Sequence, residues 1–477
     1  MKWLIGFITV TGFNFSVWAV IGLMRFISEK FNSSKSAQAD FFSLNKEQVA
    51  AVVPAHNEEL TIRQTIKSLK RILPRENIYV GSDGSSDRTC RVATNTGVKV
   101  INIQPNRGKA GAIRYTINHF GLLNCYQAIL IVDADSQIDV NYLKYALPLF
   151  NDPKTVAIAG HVLSKWSAHS LPRWNHFFSA YRIRLYRILQ IIVRYGQTWK
   201  YANVTTIAPG FVSMYRTQAL RKINIDAPGL IIEDYNMTFE VHHKKLGRIA
   251  YNPKVSGTTD DPHSFRDYRR QVWRWNLGFW QTVRRHGFWP SMFSLTTGMM
   301  LMELLLYSTF FVSLPLIISW ILITGEPLIL PLPVLYFISV SLMLGGLIVI
   351  ASVFLNDYVK TIIRLKIKDR FRYIGFIDLV LLLLALLGVY YYSVHLLALS
   401  PLSAVSISLS DLVIGILVAD YLTTILAAII DKKPLLLVYG LGFVGLRYVD
   451  ALLFLAALPA SFIIKSKGKW RSPLRQK

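Results

Sequence analysis

The chain has 477 residues, 52% of them apolar and only 17% charged, a balance that excludes an ordinary soluble globular protein and fits several membrane spans. Lysine and arginine total 53 against 28 acidic residues, for a formal charge of +25. This excess flanks apolar runs and no nucleic-acid module is visible, so it reads as cytosolic loops and a surface facing anionic lipid.

In chain order, residues 3–24 form an uncharged apolar run long enough to cross a bilayer. It is longer than a signal-peptide core, and "AQA" at 37–39 lies too far downstream for a cleavage site, so residues 1–27 read as an N-terminal anchor. A linker follows at 28–48. Arg25, Lys30, Lys35 and Lys46 place this side in the cytosol. From 49 to 260 the pattern is α/β. The runs "VAAVVPAHNEE", "NIYVGSDGSSD", "VKVINIQPNRGK" and "AILIVDADS" end at polar turns, and helical stretches follow at 60–73, 88–96 and 109–120. That alternation predicts a mainly parallel sheet, with ligands at the carboxyl ends of its strands.

Residues 261–290 predict an amphipathic interfacial helix. Phe265, Tyr268, Val272, Trp275 and Phe279 share one face, and Arg266, Arg269, Arg270 and Arg274 lie around it. A C-terminal membrane region is expected over 291–464, with apolar runs near 297–324, 332–355, 374–398 and 411–430. A basic interfacial segment falls near 356–373. Segment 434–464 carries Arg447 and Asp450 in its middle and reads as a broken or re-entrant element that returns the basic tail, 465–477, to the cytosol. Glu303, in an otherwise apolar span, is a candidate channel-facing residue. The two cysteines, Cys90 and Cys125, imply neither a disulfide framework nor a thiolate metal site.

Several residues can carry chemistry. Asp133 and Asp135 in "VDADS" follow a strand and are either turn carboxylates or oxygen ligands for Mg²⁺ or Mn²⁺ bridging to phosphate. Asp83 in "SDGSSDRT" can accept hydrogen bonds from a nucleotide base, or the stretch is only a turn with a helix cap at Ser86 or Asp87. Lys109 in "NRGKAG" offers a point charge to a diphosphate, or is a lone surface lysine. Glu233 and Asp234 open a helix, where acids are ordinarily stabilising. Asp234 is also the candidate base that removes a proton from an attacking hydroxyl. His242 and His243 read as surface residues of that helix. Gln271, Arg274 and Trp275 offer a guanidinium fork for phosphate and a flat face for a sugar ring.

The motifs "VVPAHNEE", "SDGSSDRT", "NRGKAGAI", "VDADS", "PGFVSMYR", "IIEDYNMT" and "QVWRW", in this order over about residues 49–290, resemble those of the family 2 inverting glycosyltransferases. The resemblance is to the membrane-embedded processive branch, which includes cellulose, chitin, hyaluronan and poly-N-acetylglucosamine synthases. It implies a cytosolic GT-A domain joined to an α-helical multi-span membrane domain in the cell membrane. It also implies a UDP-sugar donor, UDP-N-acetylglucosamine favoured, and a growing β-linked polysaccharide passed across the membrane. By resemblance, Asp83, Lys109, Asp133, Gln271 and Arg274 bind the nucleotide sugar, and Asp135 beside Asp133 holds the metal. Asp234 is then the base, while Pro209, Gly210, Glu233 and Trp275 meet the acceptor. Trp470 and Arg471 are similar to a tail motif that closes over the nucleotide. The sequence departs from the family where Ser82 replaces a frequent acid before Asp83, and where "PGF" lacks the cysteine of several cellulose and chitin synthases. Transfer of one sugar to a lipid, and an inactive membrane transporter or scaffold, are the competing expectations. Accessory subunits are left open.

Overall fold

A computed structural model describes residues 12–32, 44–165, 174–324 and 409–464. The apolar runs 332–355 and 374–398, the basic segment 356–373, and Trp470 and Arg471 lie outside the described residues. The chain divides into two units, Met1–Ile27 with Phe288–Leu455 and Ser28–Gly287 with Ala456–Lys477.

The second unit holds one eight-stranded sheet in the order β3-β2-β1-β4-β7-β6-β8-β5. Its strands are β1 (Val49–Ala55), β2 (Ile78–Asp83), β3 (Lys99–Ile103), β4 (Ala128–Val132), β5 (Gln137–Ile138), β6 (Thr155–Ser164), β7 (Val212–Arg216) and β8 (Arg248–Thr259). Strands β1 to β4 are mutually parallel, as the alternating pattern predicts. Their side chains divide by parity between two cores, with Ala51, Val53, Val80, Leu130 and Val132 on one face and Ala50, Val52, Tyr79, Ile129 and Ile131 on the other. The predicted helices form as α2 (Ile62–Leu69), α3 (Thr89–Thr94) and α4 (Gly108–His119), following α1 (Phe13–Asn32).

Two features of this sheet position the site. The chain runs outward through β1, β2 and β3 and then crosses to the other side of β1 for β4, which makes β1/β4 the switch point where a crevice opens. Pairing of β1 with β4 stops at Val52↔Ile131, while β1 continues beside β2 to Ala55. The second feature departs from the parallel expectation. Strand β7 runs antiparallel to β4, with Val132 opposite Val212, so the segment leading into β7 lies beside the residues leaving β4. Pro209 and Gly210 are thereby brought to the Asp133 end of the sheet.

Three further helices of this unit bear on the site: α5 (Trp174–Arg187), α6 (Glu233–His243) and α7 (Phe265–His286). Ser264 caps α7, its hydroxyl accepting from the Asp267 amide. The expected apolar face exists, but its interfacial reading needs correction. Tyr268 packs on Phe178 and Tyr181 of α5, and Phe279 on Tyr235 and Phe239 of α6, while Phe265 is exposed. Periodicity reports only that a face leaves water, and here the covering surface is protein. A Cβ at Gly278 would fall 2.8 Å from Ile232 Cγ1, so glycine lets α7 close on the turn just ahead of Glu233.

In the first unit, α8 (Met292–Thr324), α9 (Leu409–Asp431) and most of α10 (Phe443–Ile463) are apolar. Among the described residues, Met292–Leu316 and Phe443–Ile463 are long and apolar enough to cross a membrane. The segment 434–464 is broken, as expected, into Leu435–Gly440 and α10. Its charge has a partner, since Arg447 Nη1 lies 2.6 Å from the buried Asp420 carboxylate of α9. Glu303 corrects its expected role: its carboxylate accepts from the Asn14 amide at 2.7 Å, at the N-terminus of α1. A helix start offers unpaired N–H groups and partial positive charge, which hold this carboxylate.

Candidate active site

Along the carboxyl ends of β1 and β2, three turns converge. Asp83, the last residue of β2, is fully buried, and its Oδ1 accepts from the Arg107 amide at 2.7 Å. His56 Nδ1 lies 2.6 Å from the Asp83 carbonyl oxygen and donates to it. Asp83 Oδ2 has no hydrogen-bond partner among the described residues. Burial pushes the carboxyl pKa upward against the Arg107 and Gly108 amides. A buried acceptor left unused is the feature expected of a group that meets an N–H of a ligand. Ser82, at the position where the family often has an acid, is buried and its hydroxyl lies 2.9 Å from that of Ser85, inside the turn. Asp87, just ahead of α3, accepts from the Thr89 amide at 2.9 Å, a turn contact of the kind expected of this motif.

Beside β4, Lys109 is no lone surface lysine. Its Nζ lies 2.7 Å from Asp133 Oδ1 and 2.8 Å from Glu233 Oε1, joining the first turn of α4, the end of β4 and the start of α6. Gly210 closes the group: a Cβ there would fall 2.8 Å from Glu233 Oε1, 3.2 Å from Asp234 Cβ and 3.2 Å from Lys109 Nζ. The Gly210 amide donates to Asp234 Oδ2 at 3.1 Å, and the Tyr235 amide to Oδ1 at 2.7 Å. Lys109, Asp133, Gly210, Glu233 and Asp234 thus come together from four separate motifs.

Electrostatics follow from this crowding. Burial, with the charges of Asp135 and Glu233, raises the Asp133 carboxyl to about 7 against the pull of Lys109. Burial and Glu233 raise Asp234 to about 6, opposed by Lys109 and the Gly210 and Tyr235 amides. Burial works to lower the Lys109 pKa, but Asp133, Glu233 and Asp234 outweigh it and hold the ammonium above its ordinary value.

For a divalent cation the donor set is small. Among the described residues no group of three or more His, Cys, Asp or Glu side chains is placed to hold one. Asp133 and Asp135 are two residues apart at one strand end and interact electrostatically. They supply the one or two carboxylates with which Mg²⁺ or Mn²⁺ is held when a diphosphate provides other oxygens, so the residues fit the expected metal.

The remaining motif residues lie on α7. Gln271 and Trp275, one turn apart, share a side on which Arg182 of α5 meets both. Arg274 points elsewhere and is exposed. The segment just ahead of α6 is tied to α7 as well, because Gln281 Oε1 accepts from the Ile231 amide, while its Nε2 donates to the Ile464 carbonyl. His242 corrects the surface expectation: it is buried, its Nε2 donates to the Thr205 carbonyl at 3.0 Å, and burial lowers its pKa to about 4. Adjacent helical residues point about 100° apart, so His242 turns inward and His243 outward. Sequence reasoning missed α5 altogether. Nothing in "AYRIRLYR" signals that Arg182 is fully buried.

With this geometry in place, comparisons with known proteins are informative. The family described as Glycosyltransferase like family 2 matches residues 47–278. A probable glycosyltransferase of Bacillus subtilis is 29% identical over 244 residues, 48% of this chain and 55% of its own. A poly-beta-1,6-N-acetyl-D-glucosamine synthase of Staphylococcus aureus is 22% identical over 278 residues, 57% of this chain and 64% of its own. The chain therefore spans less than two thirds of the length of these relatives. Among solved structures, a mannosyltransferase from Pyrobaculum calidifontis in complex with GDP-Man and Mn²⁺ aligns at 16% identity and a TM-score of 0.44, covering 74% of this chain and 99% of its own. The family match spans the sheet, the carboxylate–lysine group and α7 as far as residue 278, and over residues 47–278 the chain is similar to the glycosyltransferase-like family 2.

Proposed function

We propose that the protein is an inverting, metal-dependent and processive glycosyltransferase. It builds a β-linked polysaccharide from a UDP-sugar, UDP-N-acetylglucosamine favoured, and passes it across the cell membrane in which it is held. The observation that carries this reading is the convergence of Lys109, Asp133, Glu233, Asp234 and Gly210 at the β4/β7 end of the sheet, on the same carboxyl edge as Asp83. The similarity to a poly-N-acetylglucosamine synthase favours that sugar and a polymeric product.

In this GT-A domain, Asp83 Oδ2 accepts from the base of the nucleotide. Lys109 lies where a diphosphate would gain a cation. Asp234, held by two backbone amides, takes the proton from the acceptor hydroxyl as its oxygen forms the new bond to C1. The C1–O bond to UDP breaks with its electron pair going to the diphosphate, and one in-line displacement turns an α-linked donor into a β-linked product. A divalent cation bound at Asp133 and Asp135 would supply further neutralisation of the leaving diphosphate. Gln271 and Trp275 border the acceptor, and the apolar helices of the other unit supply the membrane path.

The testing experiment uses purified protein in nanodiscs with Mg²⁺ or Mn²⁺ and radiolabelled UDP-sugars offered singly, with products sized on a gel. A high-molecular-weight smear from one donor is expected. A single labelled lipid would move the protein to lipid glycosylation, and no product from any donor would return it to the scaffold reading.

The raised Asp234 carboxyl sets a pH dependence. A base must be ionised, so kcat/KM is expected to rise with pH through an acid limb near pH 6 that belongs jointly to Asp234 and the charges around it. Stability moves the other way. The folded protein keeps a proton that the unfolded chain releases, so folding weakens as pH climbs from the ordinary carboxyl range to about 6. A rate profile flat from pH 5 to 8 would contradict the assignment of Asp234.

A further inference from the structure

Arg182 of α5 is fully buried among the rings of Tyr186, Tyr268 and Trp275. Its Nη2 donates to Gln271 Oε1 at 2.6 Å, and its guanidinium carbon lies 4.0 Å from the Trp275 ring centroid and 5.2 Å from that of Tyr268. Nε and Nη1 make no well-aligned hydrogen bond among the described residues, and the charge acts on the Tyr186 hydroxyl and the Asp261 carboxylate. Burying a guanidinium with unused donors opposes folding, and an apolar side chain of similar volume would fill the space at lower cost. Packing alone therefore does not account for an arginine here.

We propose that Arg182 is a positioning residue for the Gln271–Trp275 pair. One planar group fixes two rotamers at once, its fork holding the amide of Gln271 and its flat face holding the indole of Trp275. Gln271 and Trp275 stand one turn apart on α7, and one side chain from α5 reaches both. Rigid presentation of Trp275 matters because a sugar ring stacked on a free indole would sample many orientations before each transfer. A lysine could keep the charge and a bond to Gln271, but it has no flat face to lay on the ring.

The inference rests on the glycosyltransferase reading, and the experiment separates the two. Full-length protein in nanodiscs is compared as wild type, Arg182→Met, Arg182→Lys, Trp275→Phe and the Met/Phe double variant. Product length and donor KM are read for each. Arg182→Met is expected to lower kcat or product length about tenfold, with donor KM moved less than about twofold. The double variant should be no worse than the poorer single variant. Arg182→Lys should restore the thermal midpoint but not the product length. Multiplicative losses in the double variant, or recovery of product length by lysine, would overturn the proposal.

A second readout needs no activity. In 5-fluorotryptophan-labelled protein, the Trp275 resonance, assigned by its loss in Trp275→Phe, should shift or broaden in Arg182→Met and in Arg182→Lys. An unmoved resonance would overturn the positioning role. If the wild type transfers no sugar, the proposed function fails while the fluorine signal still decides on Arg182, and if Arg182→Met does not fold, Arg182→Lys carries the same readouts.

Discussion

Asp234→Asn is expected to lower kcat by roughly 10²–10⁴-fold while leaving donor KM within a few-fold of wild type. The substitution keeps the volume and one acceptor oxygen, so the Tyr235 amide retains its partner while the Gly210 amide loses its own, and no group remains to take the acceptor proton. The variant should stay close to wild type in stability, because the lost Gly210 bond and Lys109 attraction are offset by relief of the burial and repulsion that act on the carboxylate. Burial and the neighbouring Glu233 already disfavour the ionised Asp234 carboxylate, and a neutral amide removes that repulsion. Loss of turnover with a thermal midpoint near that of wild type is the combined signature, measured on the donor that the panel selects. Turnover within tenfold of wild type would remove Asp234 as the base.

Lys109→Met is expected to cost both turnover and stability. The ammonium holds Asp133 at 2.7 Å and Glu233 at 2.8 Å, with Asp234 close enough to raise its pKa further. Removing one partner of a mostly buried pair leaves charge uncompensated and costs about 3–5 kcal/mol. The sign with pH is fixed by the same groups. A lysine whose folded pKa lies above its ordinary value contributes fully at every pH below that ordinary value, so wild type keeps this contribution across the neutral range. In the variant, Asp133 and Asp234 must ionise without a cation, so the stability deficit should grow as pH rises through their titration and shrink in acid. Thermal midpoints from pH 5 to 8 measure this. A deficit independent of pH would mean that Lys109 contributes packing rather than charge.

The parallel half of the sheet was legible because it is local. Strands β1 to β4 each carry a short β-rich run, and a turn and helix follow in the next few residues, so period and punctuation suffice. The single-residue candidates were legible for the same reason, since Asp83, Lys109, Asp133 and Asp234 each stand at the end or start of such an element. Strand β7 was not legible as the neighbour of β4, because antiparallel pairing across some 80 residues leaves no local trace. The amphipathic face of α7 shows the same limit. Its period reported that Tyr268, Val272 and Phe279 leave water, but not that α5 and α6, rather than lipid, cover them.

By itself the sequence determined the α/β alternation, the apolar helices and the residue types of the site, because each depends on neighbours a few positions away. Only the tertiary structure decided who meets whom. Lys109 became the cation between Asp133 and Glu233 because the first turn of α4, the end of β4 and the start of α6 meet in the fold. Glu303 became a helix cap, Arg447 gained Asp420, and Arg182 came to lie over Trp275. Each is a long-range pairing of charges or donors whose energy depends on burial and on distances of a few ångströms, and a linear string of residues fixes neither.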